Sequence, residues 1–556
     1  MKWKKLEHNG ILFPPDFETK KIKIKIKGES VDLDINQEEM IYQWAKKKDT
    51  PYAQDKVFQK NFLADFAKTF GKKYKKLELD DVDFKNAFNL VDKEKDAKEL
   101  LTKEEKKALA AKRKELREEM KVKFGTGKMD GNEVEIANYM AEPPGIFIGR
   151  GEHPLRGKWK PKVTSKDVTL NLGKEAKVPV GNWGKIVHDQ ESMWMASWTD
   201  FLTQKRKYVW LADTAGIKQD RDKAKYDKAK MLAKEIETIK NKIVKDMQSK
   251  DPKVRRISTV CWLIYRTAMR VGDEKDPDEA DTVGATTLRK EHVTLTSDAI
   301  KFDFLGKDSV RWQETVPAVG NDKQFHENLK ELTAKIKATD EIFGNLTSRD
   351  VNEYYKTVVK GLTAKVFRTF SASTVVSKYL NENGDVKKGS QMEKLYHAKL
   401  ANLEAAIMCN HKRTIPKTFE QSLQKKRDTL KTAEKATPWK KNEEVLKKAE
   451  STKTKTDAQE KKRKERITKI KGMIKKSKAK QKERVEKLRL QLDLTEKTRD
   501  YNLGTSLRNY IDPRIFKSWT DEVTADWEKL YTAALQKKFL WVKSENESWQ
   551  NVSKHY

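Results

Sequence analysis

Gly504-Thr505-Ser506-Leu507-Arg508-Asn509-Tyr510-Ile511-Asp512-Pro513-Arg514 sets one tyrosine in a compact polar surround, directly behind a long lysine-rich tract. A phenol ionises near pH 10, so only about one in a thousand is a phenolate at neutral pH. As a nucleophile Tyr510 needs help from elsewhere in the chain. Four upstream segments carry groups able to give it. They are Ala268-Met269-Arg270-Val271-Gly272, Phe304-Leu305-Gly306-Lys307-Asp308, Ala364-Lys365-Val366-Phe367-Arg368-Thr369 and Cys409-Asn410-His411-Lys412-Arg413.

Attack on a phosphodiester builds negative charge on the non-bridging oxygens and on the departing sugar oxygen. Guanidinium forks match the first bidentately, and a positioned acid serves the second. Tyrosine, two arginines, lysine and histidine together are what cutting and rejoining a DNA strand without metal or ATP requires. Each residue alone has a plainer reading. Tyr510 could pack, with Asp512-Pro513 marking a turn. Arg270 follows the helically spaced Ile257, Val260, Cys261, Ile264 and Ala268, with Gly272 as the expected cap, where an arginine complements the macrodipole. Lys307 is expected at a hairpin tip, as an ordinary turn residue or one reaching into a groove. Arg368 sits between Val366, Phe367 and Phe370, where an unpaired charge is costly. His411 leaves an apolar stretch, as structural histidines do. Cys409 does not face it, because residues two apart on a helix diverge.

The 556 residues exceed a single core and predict several domains. Lys+Arg number 119 against 85 Asp+Glu, a formal charge of +34 that calls for a polyanionic partner. A membrane surface would attract it too, but no apolar run reaches the roughly 20 residues of a spanning helix. Cys261 and Cys409 are too few for a disulfide framework or zinc cluster, which suits a reducing compartment. Gly125-Thr126-Gly127-Lys128-Met129 lacks the spacing and hydroxyl of a nucleotide-binding P-loop. Asp80-Asp81-Val82-Asp83 reads as a turn or helix start rather than a metal site. No cofactor and no metal are expected.

Along the chain, Lys21–Lys27 and Val31–Ile35 alternate as a hairpin around Gly28. Helical spacing follows at Glu38–Lys48, Lys56–Tyr74 and, as one long element, Asp92–Val122. Short strands are expected over Pro143–Thr199, and mostly helix from Gly216 to Thr418, interrupted by strands within Thr282–Val316. Residues 421–490 hold 26 Lys/Arg and 10 Asp/Glu. Apolar residues there, at Ile467, Ile470, Ile474, Val485, Leu488 and Leu492, predict two long helices reversing near Ser451–Gln459. A disordered basic tail is the alternative. Trp519, Trp527, Tyr531, Phe539 and Trp541 supply the core of a last compact segment.

In this order the five segments resemble the cellular type IB DNA topoisomerases of eukaryotes. The likeness runs from Trp3-Lys4-Lys5-Leu6-Glu7-His8 onward through Pro143–Pro154, Ala280–His292, Phe302–Arg311, Gly361–Thr369, Cys409–Phe419 and Gly504–Arg514. It implies an α+β multidomain fold: a mixed cap lobe (1–215), a mainly helical catalytic lobe of the topoisomerase IB/tyrosine recombinase type (216–418), a basic antiparallel coiled-coil linker (419–497) and a small helical C-terminal domain (498–556). It further implies that Tyr510 becomes joined to a 3′ phosphate. Arg270 and Arg368 would bind the non-bridging oxygens, His411 would donate to one of them, and Lys307 would protonate the 5′ oxygen. Arg150, His153, Asn509, Asp308 and Asn502 would contact DNA or support the site. The partner implied is double-stranded DNA, clamped by a monomer, with a camptothecin-type inhibitor as a ligand of the cleaved complex and no membrane.

Ile148 departs from the family pattern, which has a basic residue before Gly-Arg-Gly, and so does Arg508, where a smaller residue is usual. The charged N-terminal extension that carries nuclear targeting in the family is not in this sequence, so the expected location is the nucleus or a viral replication compartment. Two other classes remain to be told apart. Tyrosine recombinases share the Arg/Lys/His/Arg/Tyr chemistry but are not expected to carry the Pro143–Pro154 segment or the linker. A non-catalytic DNA-binding or chromatin protein would account for the charge and not for the five segments.

Overall fold

The computed structural model describes residues 2–272 and 282–556. The chain divides into two compact units. The first comprises Met1–Lys223 with segments from the middle of the chain, Leu305–Arg311 among them; the second holds Ala224–Asp273, Gly284–Phe304 and Trp312–Tyr556.

A seven-stranded sheet organises the first unit. Its order is Leu6–His8, Thr126–Met129, Asn132–Ala137, Arg206–Leu211, Trp194–Thr199, Thr169–Asn171 and Lys185–Val187. Alternation drives it: Leu6 and His8 are buried while Glu7 is exposed, and Leu6 pairs with Met129. Trp3, Ile136, Leu170, Val209 and Leu211 fill the core against it.

A second core in this unit gathers Ile22, Ile24 and Ile26 with an aromatic set in which Trp44 stacks on Phe62 at 4.6 Å. The expected hairpin is shorter than its pattern. Strands Ile24–Ile26 and Glu29–Val31 form, but Ile35 opens a helix, Ile35–Ala45, because Asp34 and Gln37 make a reciprocal capping box. The helix at Lys56 ends at Lys68, short of Tyr74. The single helix expected over Asp92–Val122 is two, Lys85–Leu100 and Lys103–Phe124. Thr102 starts the second by capping Glu105, whose carboxylate returns to the Thr102 N–H.

The second unit is mainly helical. Strands Ala299–Gly306 and Val310–Pro317 form the expected hairpin, whose tip Leu305–Arg311 is counted with the first unit, and Ile300, Phe302 and Phe304 are buried. Helices Pro252–Thr267, Ser348–Val358, Ala364–Asn383 and Gln391–Met408 pack around Tyr355, Phe367 and Ala401. The basic tract holds three helices where two were expected: Phe419–Lys435, Lys440–Ser451 and the long Asp457–Lys497. The outward arm breaks at 436–439, where Pro438 has no N–H to donate and forces the preceding residue toward extended backbone. Ile470 and Ile474 meet Ala449, Leu446 and Trp439 in a thin apolar seam. Ion pairs Lys478–Glu443 (2.8 Å) and Arg489–Glu434 (2.7 Å) flank it.

The last segment packs Trp519, Trp527, Tyr531 and Phe539 onto Val376 and Leu380 of the Ala364–Asn383 helix. Mixed strand and helix in one unit and a mainly helical second unit give the α+β multidomain architecture that the resemblance implies.

Candidate active site

Arg270 does not end a helix. The helix stops three residues earlier, at Thr267, where Ala268 turns into the left-handed region (φ 50°, ψ 26°). Arg270 then lies outside helix and strand, its carbonyl accepting the Ala285 N–H at 2.8 Å. Gly272 is not the cap but a point of backbone contact. A Cβ built there would stand 2.8 Å from Cα of Gly284.

Arg368 is helical and buried, 6% exposed. Its charge is compensated by backbone: Nη1 donates to the Ala268 carbonyl at 2.6 Å and Nη2 to the carbonyl of Cys409. The guanidinium stands over the Tyr510 ring, 5.0 Å from its centroid. His411 arrives after Asn410 takes a left-handed turn (φ 50°) that folds its N–H back to Ala406. Its imidazole stacks on the same ring at 5.4 Å.

Tyr510 follows the short helix Leu503–Asn509, which Asn502 caps through the Gly504 N–H. Buried Asn402 holds that helix, donating to Leu503 O at 3.1 Å and accepting from Ser506 Oγ at 2.9 Å. The Asn502 N–H reaches the His411 carbonyl at 2.7 Å, and Arg413 N–H reaches Asp500 O at 2.8 Å. Both ends of the long basic excursion therefore close on the histidine segment.

The cluster is positive, with Arg368 and His411 buried and Arg270 and Tyr510 partly so. Burial, with Arg368 and Arg270 beside it, pushes the His411 pKa down to about 3, so its ring is neutral at working pH. Burial and Arg368 also lower Arg270, against the opposing effect of the neighbouring Tyr510 phenol. Burial raises the Cys409 thiol despite the two guanidiniums, so no thiolate competes as nucleophile. Arg368 Nε and both His411 ring nitrogens are buried without a hydrogen-bond partner among the described residues. Such groups are costly to bury unpaired. An anion carrying several acceptor oxygens would satisfy the Arg368 Nε–H and the one N–H of the neutral His411 ring.

Arg270, Arg368, His411 and Tyr510 thus meet within the second unit. Lys307 is exposed and belongs to the first unit, with Arg150 and His153. There Gly149 and Gly151 have φ of +72° and +59°, and a Cβ on Gly151 would strike Ser309 Oγ at 2.2 Å. The Arg150 loop is thereby seated against the turn that carries Lys307. His153 packs edge-on to Phe147 at 4.9 Å. Asn509 is exposed and donates to Thr505 O at 3.0 Å. The side chain of Asp308 lies outside the described residues, as does Ala280 of the Ala280–His292 segment. Sequence reasoning did not single out Ser373, Asn402 or Tyr556, all of which hydrogen-bond to the segment that carries Tyr510. A buried polar residue on an otherwise apolar helix face was the only available signal for the first two.

The molecule therefore presents a tyrosine beside two guanidiniums and a neutral imidazole on a mainly helical unit. Family models match over most of its length: the eukaryotic DNA topoisomerase I DNA binding fragment at residues 1–211, the catalytic core of the same family at 214–445, and a C-terminal topoisomerase domain at 482–551. The chain is similar to DNA topoisomerase 1 beta of Arabidopsis thaliana, 36% identical over 547 residues, covering 97% of this chain and 58% of the relative. It is 33% identical over 556 residues to DNA topoisomerase 1 of Homo sapiens, covering 97% and 71%. Against DNA topoisomerase 1 of Candidozyma auris it is 33% identical over 631 residues, covering 99% and 83%. The chain belongs to the eukaryotic DNA topoisomerase I family. It spans little more than half the length of the Arabidopsis and Drosophila melanogaster relatives, 58% and 54%.

Proposed function

We propose that this chain relaxes supercoiled double-stranded DNA of either sign by transient cleavage of one strand, as a type IB topoisomerase. The phenolic oxygen of Tyr510 attacks phosphorus and gives up its proton to solvent water. The bond from phosphorus to the 5′ oxygen breaks, and Lys307 protonates that oxygen. A 3′-phosphotyrosyl link then holds one end while the other rotates. Religation runs the same exchange backward, with the 5′ hydroxyl displacing Tyr510. One phosphoester replaces another, so bond energy is retained and neither ATP nor a metal ion is consumed.

The observation that carries this reading is the charge cluster itself. Two guanidiniums that repel each other stand beside one tyrosine, a neutral imidazole stacks on its ring, and N–H donors of Arg368 and His411 are buried without a partner among the described residues. A phosphodiester removes the repulsion, satisfies those donors and delivers the electrophile to the phenol. Charge that grows on the non-bridging oxygens is met by donors already in place, which is differential binding of the transition state. The charge of +34 supports a duplex partner. In this reading the first unit is a cap, the three helices of 419–497 a linker and the last segment the carrier of the nucleophile.

The test is relaxation of supercoiled plasmid with EDTA present and ATP absent. Wild type is expected to give a ladder of topoisomers and Tyr510→Phe none. Recombined products, activity only with added metal or ATP, or an active Tyr510→Phe would each defeat the reading.

A further inference from the structure

Two residues beyond the tyrosine, Asp512 has no exposed surface. Arg514 Nε reaches both of its carboxylate oxygens at 3.1 Å, and Nη2 donates to Oδ2 at 2.8 Å. The Arg514 N–H adds a bond at 3.0 Å. The hydroxyl of Tyr556, 44 positions along the chain, donates to Oδ2 at 2.7 Å. Arg514 in turn gives Nη1 to Asp227 at 2.7 Å. On the main-chain side, Ser373 Oγ accepts the Asp512 N–H at 3.0 Å and donates to the Tyr510 carbonyl at 3.4 Å. Ser373 is fully buried, five positions along the helix from Arg368.

A buried ion pair is a poor device for stability, since desolvation offsets most of its attraction; its better-attested use is to specify one arrangement over others. Here the arrangement specified is the peptide that leaves Tyr510. The tyrosine itself is half-buried and ends a helix of seven residues, Leu503–Asn509, too short to fix a ring unaided. Its backbone is gripped instead by the helix that presents Arg368. Asp512 is the anchor, with Arg514 and Tyr556 holding it from the far side. Burial and the adjacent carboxylate keep the Tyr556 phenol protonated well above the ordinary range, so it donates at every working pH.

We propose that Tyr556 and Ser373 are positioning residues for the nucleophile: through Asp512 and the Tyr510 carbonyl they fix the attitude of the Tyr510 ring toward Arg368. The inference rests on Tyr510 being the nucleophile. Near-attack geometry tolerates little error, and displacement by about 1 Å can cost on the order of 10²-fold in rate. Removing one pin is expected to cost about tenfold and both together more.

Tyr556→Phe and Ser373→Ala each delete a single hydroxyl and suit the test. Formation of the covalent adduct is followed under single turnover on a duplex whose cleaved end diffuses away, at saturating protein. Duplex affinity is read by fluorescence anisotropy, and Tyr510→Phe serves as the blank. The expected result is a rate constant lowered about tenfold in each variant, with full adduct amplitude and unchanged affinity. A merely structural role would lower the amplitude and melting temperature and leave the rate constant of the surviving fraction alone; that outcome, or wild-type rates, overturns the inference. Failure of the wild type to form any adduct overturns the reading of Tyr510, and this inference with it.

Discussion

Lowering the pH tests the electrostatics of the cluster most directly. The His411 pKa falls from 6.5 in an unfolded chain to about 3 in the folded protein. Between those values the unfolded chain binds a proton that the folded one refuses, so stability rises with pH and is lost as pH falls below about 6.5. At 1.36 kcal/mol per unit the full penalty is about 5 kcal/mol, and at pH 5 it is about 2 kcal/mol. His8, buried and likewise lowered, contributes in the same direction, so wild type must be compared with His411→Gln, which keeps a donor and removes the titration. Ring carbon and nitrogen shifts in an NMR titration report the midpoint itself. The expected midpoint in the free protein lies below pH 4 and rises when duplex binds, because phosphate replaces cation repulsion with attraction. A free-protein midpoint near 6.5, or an acid destabilisation identical in His411→Gln, would refute the claim that burial and two guanidiniums hold this ring neutral.

Two further expectations follow from the same geometry. Arg368→Lys keeps the charge but cannot reach the Ala268 and Cys409 carbonyls together while also meeting phosphate; single-turnover cleavage should slow by about 10²–10³, as for loss of an oxyanion donor, and an unchanged rate would remove Arg368 from the chemistry. Deleting most of 421–490, with its 26 basic and 10 acidic residues, should spare cleavage yet flatten the dependence of duplex affinity on salt, measured as the slope of log K against log salt concentration. An unaltered slope would show that the three helices do not touch DNA.

Arg368 was legible in the sequence because a charge between Val366, Phe367 and Phe370 needs an explanation. Its partners were not, since backbone carbonyls 100 and 41 positions away carry no side-chain signature. Gly272 misled for a related reason. Its missing side chain suggested a helix cap, whereas it serves a close approach to Gly284 that only the folded chain reveals. Local punctuation overrides periodicity elsewhere: Thr102-Lys103-Glu104-Glu105 and Pro438 each divide what periodicity joins. The hairpin at Gly306 was read correctly because alternation and turn chemistry agree at that point. Tyr556 had no local signal at all, because its importance lies in one hydroxyl bond across 44 residues.

The pairing of Arg413 with Asp500, N–H to O at 2.8 Å, makes everything between them a side trip that returns to its starting point. The entropy of such a detour grows only with the logarithm of its length, about 0.6 kcal/mol per doubling. Arms can lengthen, shorten or change composition over evolutionary time while the tyrosine keeps its register on the imidazole. Selection on how the excursion handles its partner is thereby uncoupled from selection on bond chemistry, and the two can drift at different rates in one polypeptide.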